Sequence, residues 1–484
     1  MKSRKRVAIE KHEKHKQRAL EWLIQVKKRD GYGETLRPVM SRFESYLFEY
    51  EHIFRSKTKR LFEQAKTYCR GIFMSELSNI ERISEEMFAN YHQMQHFITD
   101  SPWDYRALMD QVSKDVSESL PKRKLTGLII DESGWEKKGR KSIGVARQYC
   151  GNVGKVSNSQ VAVFGVLSNG DFASMIDARL YLPQAWCADS VRCEEAGIPE
   201  EERTFKMKLE IAIDIILHQQ SLGICFDYVS GDGYYGNSVQ LAEATEAMGY
   251  VYMFDIHSNL TLYLEKTEIM IPSAKSKRGR KPRKEKPVSE GIRADKYMSE
   301  LKEEEWNHLE VRNTAKGKLT GDYHFRTVYI WDEENHRMLR RLLVIRRTMD
   351  KKGDYEYKYS FTNANLEQYT KEGIAYMQAQ RFFVEHCIKE NKQILGMDKY
   401  QTRKWLSWQH QMALNFLLST FVLKEKLLCF DNIPLLSAKD IKRWIIFKLY
   451  KQMSEDDMID QMFERHCRRQ RDINVAFDKQ ILIC

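Results

Sequence analysis

The chain is poor in the residues that break or staple a fold. It holds only nine prolines and 24 glycines in 484 residues, which excludes a collagen-like or low-complexity protein. Its nine cysteines are an odd number with no Cys-x-x-Cys pair. A disulfide framework and a zinc ribbon are excluded, and a reducing compartment is expected. No apolar run reaches the ~18 residues of a membrane span. The longest, Met412 to Leu423, is interrupted by Asn415, Ser419 and Thr420. No apolar stretch follows the basic start Lys2-Ser3-Arg4-Lys5-Arg6, so no secretory leader is expected. Walker A, His-Glu-x-x-His and Gly-x-Ser-x-Gly patterns are missing too, which leaves P-loop NTPase, zincin and serine hydrolase readings without support.

What is present is enough apolar sequence for a sizeable core, 42% hydrophobic and 11% aromatic. The net charge is +11, and it is concentrated. Residues 1–30 carry eleven Lys/Arg against four acids, residues 275–286 eight against one, and the other 442 residues sum to −3. Two short basic segments on a near-neutral body are tethers for a polyanion. The second contains Arg278-Gly279-Arg280-Lys281-Pro282. Such a segment can follow a narrow A·T-rich minor groove, so Arg278, Arg280 and Lys281 are candidate DNA contacts. The same composition also suits a solvated loop.

Residues 1–120 read as helical. Apolar positions recur at Leu61, Ala65, Tyr68 and Ile72, and Ser101-Pro102-Trp103-Asp104 reads as a helix start with Ser101 as the cap. From Leu125 the pattern changes. Leu128-Ile129-Ile130 reads as a short buried strand ending at Asp131. Val161–Leu167 and Phe172–Leu182 read as strands joined by the turn Ser168-Asn169-Gly170-Asp171. Then follow a helix from Thr204 to Gln220, a strand from Ile224 to Val229, a helix from Asn237 to Met248 and a strand from Tyr250 to Ile256. The expected fold is α/β, with the strand order of a ribonuclease H-like core. The expected parts are an N-terminal helical DNA-binding domain over 1–120, the first part of the core over 121–256, and a β-rich insertion with the basic loop over 257–364. A core helix over 365–400 and a C-terminal helical region over 401–484 complete it.

Two aspartates end strands of this sheet, Asp131 and Asp232, 101 residues apart. Carboxylates at neighbouring strand ends can share hard divalent cations that keep open positions for phosphate oxygens. A third carboxylate is expected at Glu385. It stands in line with Arg381 and Lys392 at helical spacing, beside the apolar Phe382, Phe383 and Ile388. Singly, each residue has a plainer explanation: a turn, a helix cap or an exposed ion pair worth about 0.3–0.5 kcal/mol. In this order and on these elements they form a candidate catalytic set.

These residues resemble the DDE transposases of bacterial insertion sequences, in the branch with a Tyr-Arg-Glu-Lys signature and a β-insertion before the glutamate. Asp131 with the text through Gly139, Gly231-Asp232-Gly233-Tyr234-Tyr235-Gly236, and Arg381-x3-Glu385-x6-Lys392 carry the resemblance. Gln95-His96-Phe97 and the segment from Ser101 to Asp104 extend it, so that it covers most of residues 60–425. The signature tyrosine is replaced by Gln378, and the nearest tyrosine is Tyr376.

The resemblance implies that Asp131, Asp232 and Glu385 hold two Mg²⁺ ions, with Mn²⁺ able to substitute. Arg381 and Lys392 would grip phosphates. The implied reaction is cleavage at the element's terminal inverted repeats and transfer of the freed 3′ end into target DNA, in some members through a hairpin with a flipped base. Trp135, Trp405 and Trp408 are candidate stacking partners for such a base, or core residues. A homodimer on double-stranded DNA, no membrane, and a bacterial cytoplasmic, nucleoid-associated location are expected with it.

Two other readings stand beside this one. The first is a nuclease-only or inactive DNA-binding relative. The second is a dinucleotide-dependent oxidoreductase, because Gly231 to Gly236 is literally Gly-x-Gly-x-x-Gly and Asp255 lies 23 residues beyond Asp232. An acid between the first two glycines would repel a pyrophosphate, which argues against it. His12-x2-His15, His92-x3-His96 and the basic group Arg465, Arg468, Arg469 and Arg471 read as surface residues.

Overall fold

A computed structural model describes residues 31–55, 60–122, 124–273, 283–314, 317–349, 353–433 and 436–450. Arg278, Arg280, Lys281, His12, His15 and the arginines from Arg465 to Arg471 lie outside the described residues. The chain divides into two compact units, Met1–Leu108 with Glu390–Thr402 and Leu406–Cys484, and Met109–Lys389 with Arg403–Trp405.

The first unit is helical and joins both ends of the chain. Helices Val39–Glu49, Phe62–Met74, Ile80–Glu86 and Tyr91–Thr99 share it with most of Trp405–Leu428 and with Ala438–Tyr450. The apolar run within Trp405–Leu428 is a core helix, with Met412 to Leu418 buried without a break. Its polar residues are used internally. Gln411 accepts a hydrogen bond from the Tyr68 hydroxyl at 2.6 Å, and Glu425 binds Arg42 at 2.6 Å. Among the described residues no helix is long and apolar enough to cross a membrane. The helix start near residue 101 falls later than expected. Asp104 is the cap, accepting from the backbone N–H groups of Arg106 and Ala107 at 2.9 Å, ahead of a helix over Tyr105–Ser119.

The second unit is built on a ten-stranded sheet. Its first six strands are β1 (Gly127–Glu136), β2 (Ala146–Cys150), β3 (Lys155–Asn169), β4 (Phe172–Leu180), β5 (Tyr228–Gly231) and β6 (Val251–Asp255). Leu128, Ile129 and Ile130 of β1 are fully buried, as a central strand covered on both faces requires. β3 runs antiparallel to both β1 and β4, and β5 runs parallel to both β1 and β6. The order β4-β3-β1-β5-β6 is the ribonuclease H-like arrangement. Helix α1 (Lys208–Ser221) crosses close over β3: a Cβ on Gly165 would meet Ile215 at 3.0 Å. α1 starts at Lys208 rather than near Thr204, with the Glu210 side chain accepting from the Met207 N–H. Helix α2 (Val239–Ala247) is capped by the Ser238 hydroxyl, which accepts from the Leu241 N–H at 3.2 Å.

The expected β-rich insertion is part of this same sheet. Strands β7 (Asn307–Thr314), β8 (Gly317–Asp332), β9 (Arg337–Met349) and β10 (Tyr355–Thr362) form an antiparallel meander, and β10 pairs with β6. Helix α3 (Lys371–Ile394) follows. Its apolar side chains Ile374, Ala375 and Met377 pack with Met253 of β6 and with Tyr323 and Val344 of the added strands. This contact sets α3 over the junction between core and insertion.

The glycines after β5 serve packing. A Cβ at Gly236 would lie 1.8 Å from the Asp255 carbonyl oxygen. Gly236→Ala is therefore expected to destabilise the unit by about 2–4 kcal/mol in urea unfolding; a loss under about 0.5 kcal/mol would contradict this packing.

Candidate active site

Asp131 sits within β1, opposite Phe164 of β3, and not at the strand's end. The strand runs five residues past it to Glu136, because Trp135 and the residues around it continue the ladder with β3. Alternation sends Glu132 to the opposite face, where Lys208 of α1 binds it at 2.8 Å. Asp131 Oδ1 accepts from the Glu132 N–H at 2.8 Å. Asp232 stands just beyond β5, as expected, and accepts from the Tyr234 N–H at 3.0 Å. Glu385 lies on α3 with its side chain 56% exposed.

The centre of the cluster is Arg381, one turn before Glu385 on α3. Its Nε lies 2.9 Å from Asp255 Oδ2 and its Nη2 2.6 Å from Glu385 Oε1. Asp255 is itself held by the Ser360 hydroxyl of β10, which donates to Oδ1 at 2.7 Å. The Gln378 amide of α3 donates to that hydroxyl at 2.8 Å. Gln378, which stands where the signature tyrosine was expected, thus braces the acid that holds Arg381. Tyr376 faces elsewhere: its hydroxyl accepts from the Gly170 N–H at 2.7 Å and donates to the Leu125 carbonyl at 3.1 Å.

The electrostatics are those of a carboxylate excess. Burial first, then the Asp232 charge, push the Asp131 carboxyl up to about 7, against Arg381; Glu385 adds to the push. Burial works against the charge of Arg381, yet Asp255, Glu385, Asp131 and Asp232 together raise its pKa. Four carboxylates therefore act on one guanidinium. An all-oxygen donor set of this kind suits Mg²⁺ or Mn²⁺, and the repulsion between Asp131 and Asp232 is what a divalent cation would relieve. The residues fit such a group. Among the described residues no three His, Cys, Asp or Glu side chains are already gathered as a metal-binding set, and Glu385 is engaged by Arg381.

Lys392, on the last turns of α3, belongs to the helical unit and is buried there. Glu390 is held by Lys426 at 2.8 Å within that unit. Trp135, Trp405 and Trp408 are 3%, 5% and 0% exposed, and the Trp135 ring N–H donates to Gln160 at 2.9 Å. His96 contacts Ser101 at 3.0 Å. The dinucleotide outline fails on geometry. The Asp232 side chain occupies the helix N-terminus that a pyrophosphate would need, the helix is a single turn over Gly233–Gly236, and Gly236 is pressed against β6. A cavity of about 580 Å³ does adjoin Gly236, but Tyr252, Tyr263, Trp331 and Phe361 line it, not the carboxylates. Sequence reasoning missed Ser360 and the role of Asp255; the signal was an acid ending β6, read only as a dinucleotide feature.

A ribonuclease H-like sheet with one acid on its central strand and a second just past the neighbouring parallel strand defines a class of metal-dependent enzymes acting on phosphodiester bonds. The chain belongs to the DDE superfamily endonucleases: the model of that family matches residues 49–318, more than half of it. Members of this superfamily generally use divalent metal ions. The match includes Asp131 and Asp232 and ends before Glu385. The chain is 34% identical over 173 residues to a probable transposase for insertion sequence element IS701 from Microchaete diplosiphon, covering 35% of this chain and 42% of that protein. It thus spans less than half the length of that curated relative. A cryo-EM structure of the piggyBac transposase synaptic complex with hairpin DNA is similar at 11% identity and a TM-score of 0.31, covering 84% of this chain and 76% of that one. The fold assignment rests on the strand order and not on that likeness.

The raised pKa of Asp131 has a sign that can be checked. The folded state holds the proton more tightly than the unfolded chain, so this group's contribution is full below about pH 4 and is lost as pH rises towards about 7. In metal-free urea unfolding, wild type is expected to lose stability across that window. Asp131→Asn should be more stable than wild type by about 1–3 kcal/mol near pH 8. Equal stability of the two at that pH would contradict the assignment.

Proposed function

We propose that this protein is a DNA transposase of a bacterial insertion sequence, cutting double-stranded DNA at the element's terminal inverted repeats and joining the freed end to target DNA. The observation that carries the reading is the set of Asp131, Asp232 and Glu385 around Arg381 on a ribonuclease H-like sheet. Family membership and the printed name of the IS701 relative support it.

In this reading Asp131 and Asp232 are the first two metal ligands, and Glu385 is the third once it leaves Arg381. When bound, a pair of Mg²⁺ or Mn²⁺ ions supplies activation of the attacking oxygen and stabilisation of the leaving one. Asp131 would hold a bound ion as the carboxylate, so its raised pKa would couple metal affinity to pH. Arg381, freed of Glu385 but still held by Asp255, turns its outer N–H groups to a DNA phosphate. Asp255, Ser360 and Gln378 keep that guanidinium in place, a positioning role. Lys392 remains a proposed phosphate contact through the signature, as do Arg278, Arg280 and Lys281 through their composition. The homodimer, the nucleoid-associated cytoplasmic location and passage through a hairpin rest on analogy. The burial of Trp135, Trp405 and Trp408 gives the hairpin step no support.

The test is cleavage of duplex DNA bearing the element's ends in Mg²⁺ or Mn²⁺. Asp131→Asn, Asp232→Asn and Glu385→Gln are each expected to lower the rate by about 10³-fold or more with DNA binding retained. Full activity in any of the three would remove that residue from the set. Cleavage by wild type without joining would make the protein a nuclease.

A further inference from the structure

The meander that extends the sheet brings two more cations to the face that carries the site. Ser360 of β10 bonds Asp255, so Ser360 faces α3. Lys358, two residues earlier on the same strand, faces the same way by alternation, and it is solvent-exposed. Arg346 of β9 is its direct cross-strand partner. Two cations directly opposite each other on neighbouring strands destabilise a sheet.

Two other arginines of β9 are neutralised by acids. Arg347, the next residue on β9 and so on the other face, binds Glu303 at 2.6 Å and Asp322 at 3.0 Å. Arg337 binds Glu243 at 2.5 Å and Asp332 at 3.0 Å. Among the described residues no ion pair joins Lys358 or Arg346 to an acid. The acids acting on Lys358 are Asp255 and Glu385, and Arg381 already binds both. The Arg346 Nε is buried without a hydrogen-bond partner.

We propose that Lys358 and Arg346 form a phosphate subsite for the DNA strand beside the bond being cut, with the backbone phosphates supplying the negative charge that the sheet withholds. The inference rests on the DNA-acting reading of the same site. One and two strand spacings separate β10 and β9 from β6, and both residues lie two positions along from the Ser360–Asp255 pair, which places their Cα atoms about 8 and 12 Å from that of Asp255. That is the reach of the first one or two phosphates next to the reacting one. Neither residue touches the reacting atoms, so both are positioning residues.

The experiment uses the full chain, a fluorescent duplex of about 40 base pairs of mixed sequence, and Ca²⁺ in place of Mg²⁺, with affinity measured across a range of salt. Lys358→Gln and Arg346→Gln are each expected to weaken binding by about 3–10-fold near 0.1 M salt and to reduce the salt slope by about 1. Lys358→Arg should restore both. Arg347→Gln, on the opposite face, should leave the slope unchanged, and thermal unfolding without DNA checks that all variants fold. Wild-type affinity and slope in both Gln variants would overturn the subsite. Metal-dependent cleavage by wild type is scored separately. Cleavage together with unaltered DNA affinity in the variants sinks the subsite and leaves the enzyme reading. A reduced slope with no cleavage by wild type sinks the enzyme reading and leaves the subsite.

Discussion

The contact between Arg381 and the two acids Asp255 and Glu385 organises the candidate site. Four carboxylates crowd a small region, and their mutual repulsion would splay the sheet ends without a cation among them. Arg381 supplies that cation from a helix fixed by its own apolar face against the sheet. It pairs with Glu385 and Asp255 and offsets only part of the Asp131–Asp232 repulsion. The arrangement is stable enough to fold and still short of positive charge, which is the electrostatic condition a divalent cation satisfies.

Much of the fold was legible in the residues. The buried run Leu128 to Ile130, the turn at Gly170 and the acid after β5 each have one reading that periodicity and turn chemistry favour. The order of those elements is enough for a ribonuclease H-like sheet. Asp131 was placed at a strand end because the apolar run stops at Ile130; pairing with the long β3 carries the strand on to Glu136. Tertiary pairing outweighed local propensity there.

What was not legible required contacts distant in sequence. Nothing local says that β10 pairs with β6, so the insertion could not be seen as an extension of the core sheet, and Asp255 and Ser360 could not be seen as neighbours. Gln378 looked like a lost tyrosine; its role as the brace of Ser360 depends on that same pairing. The helices at the two ends of the chain share one unit through pairs such as Tyr68 with Gln411, 343 residues apart. Glu385 was singled out by its frame of Arg381 and Lys392 alone.

The measurement that bears most directly on this account is a crystal structure of the protein with Mn²⁺, located by its anomalous scattering. The account requires Mn²⁺ between the carboxylates of Asp131 and Asp232, with Glu385 turned away from Arg381 towards the ion and Arg381 still on Asp255. Mn²⁺ bound elsewhere, or an Arg381–Glu385 pair that persists beside an occupied site, would contradict the assignment of Glu385 as the third acid.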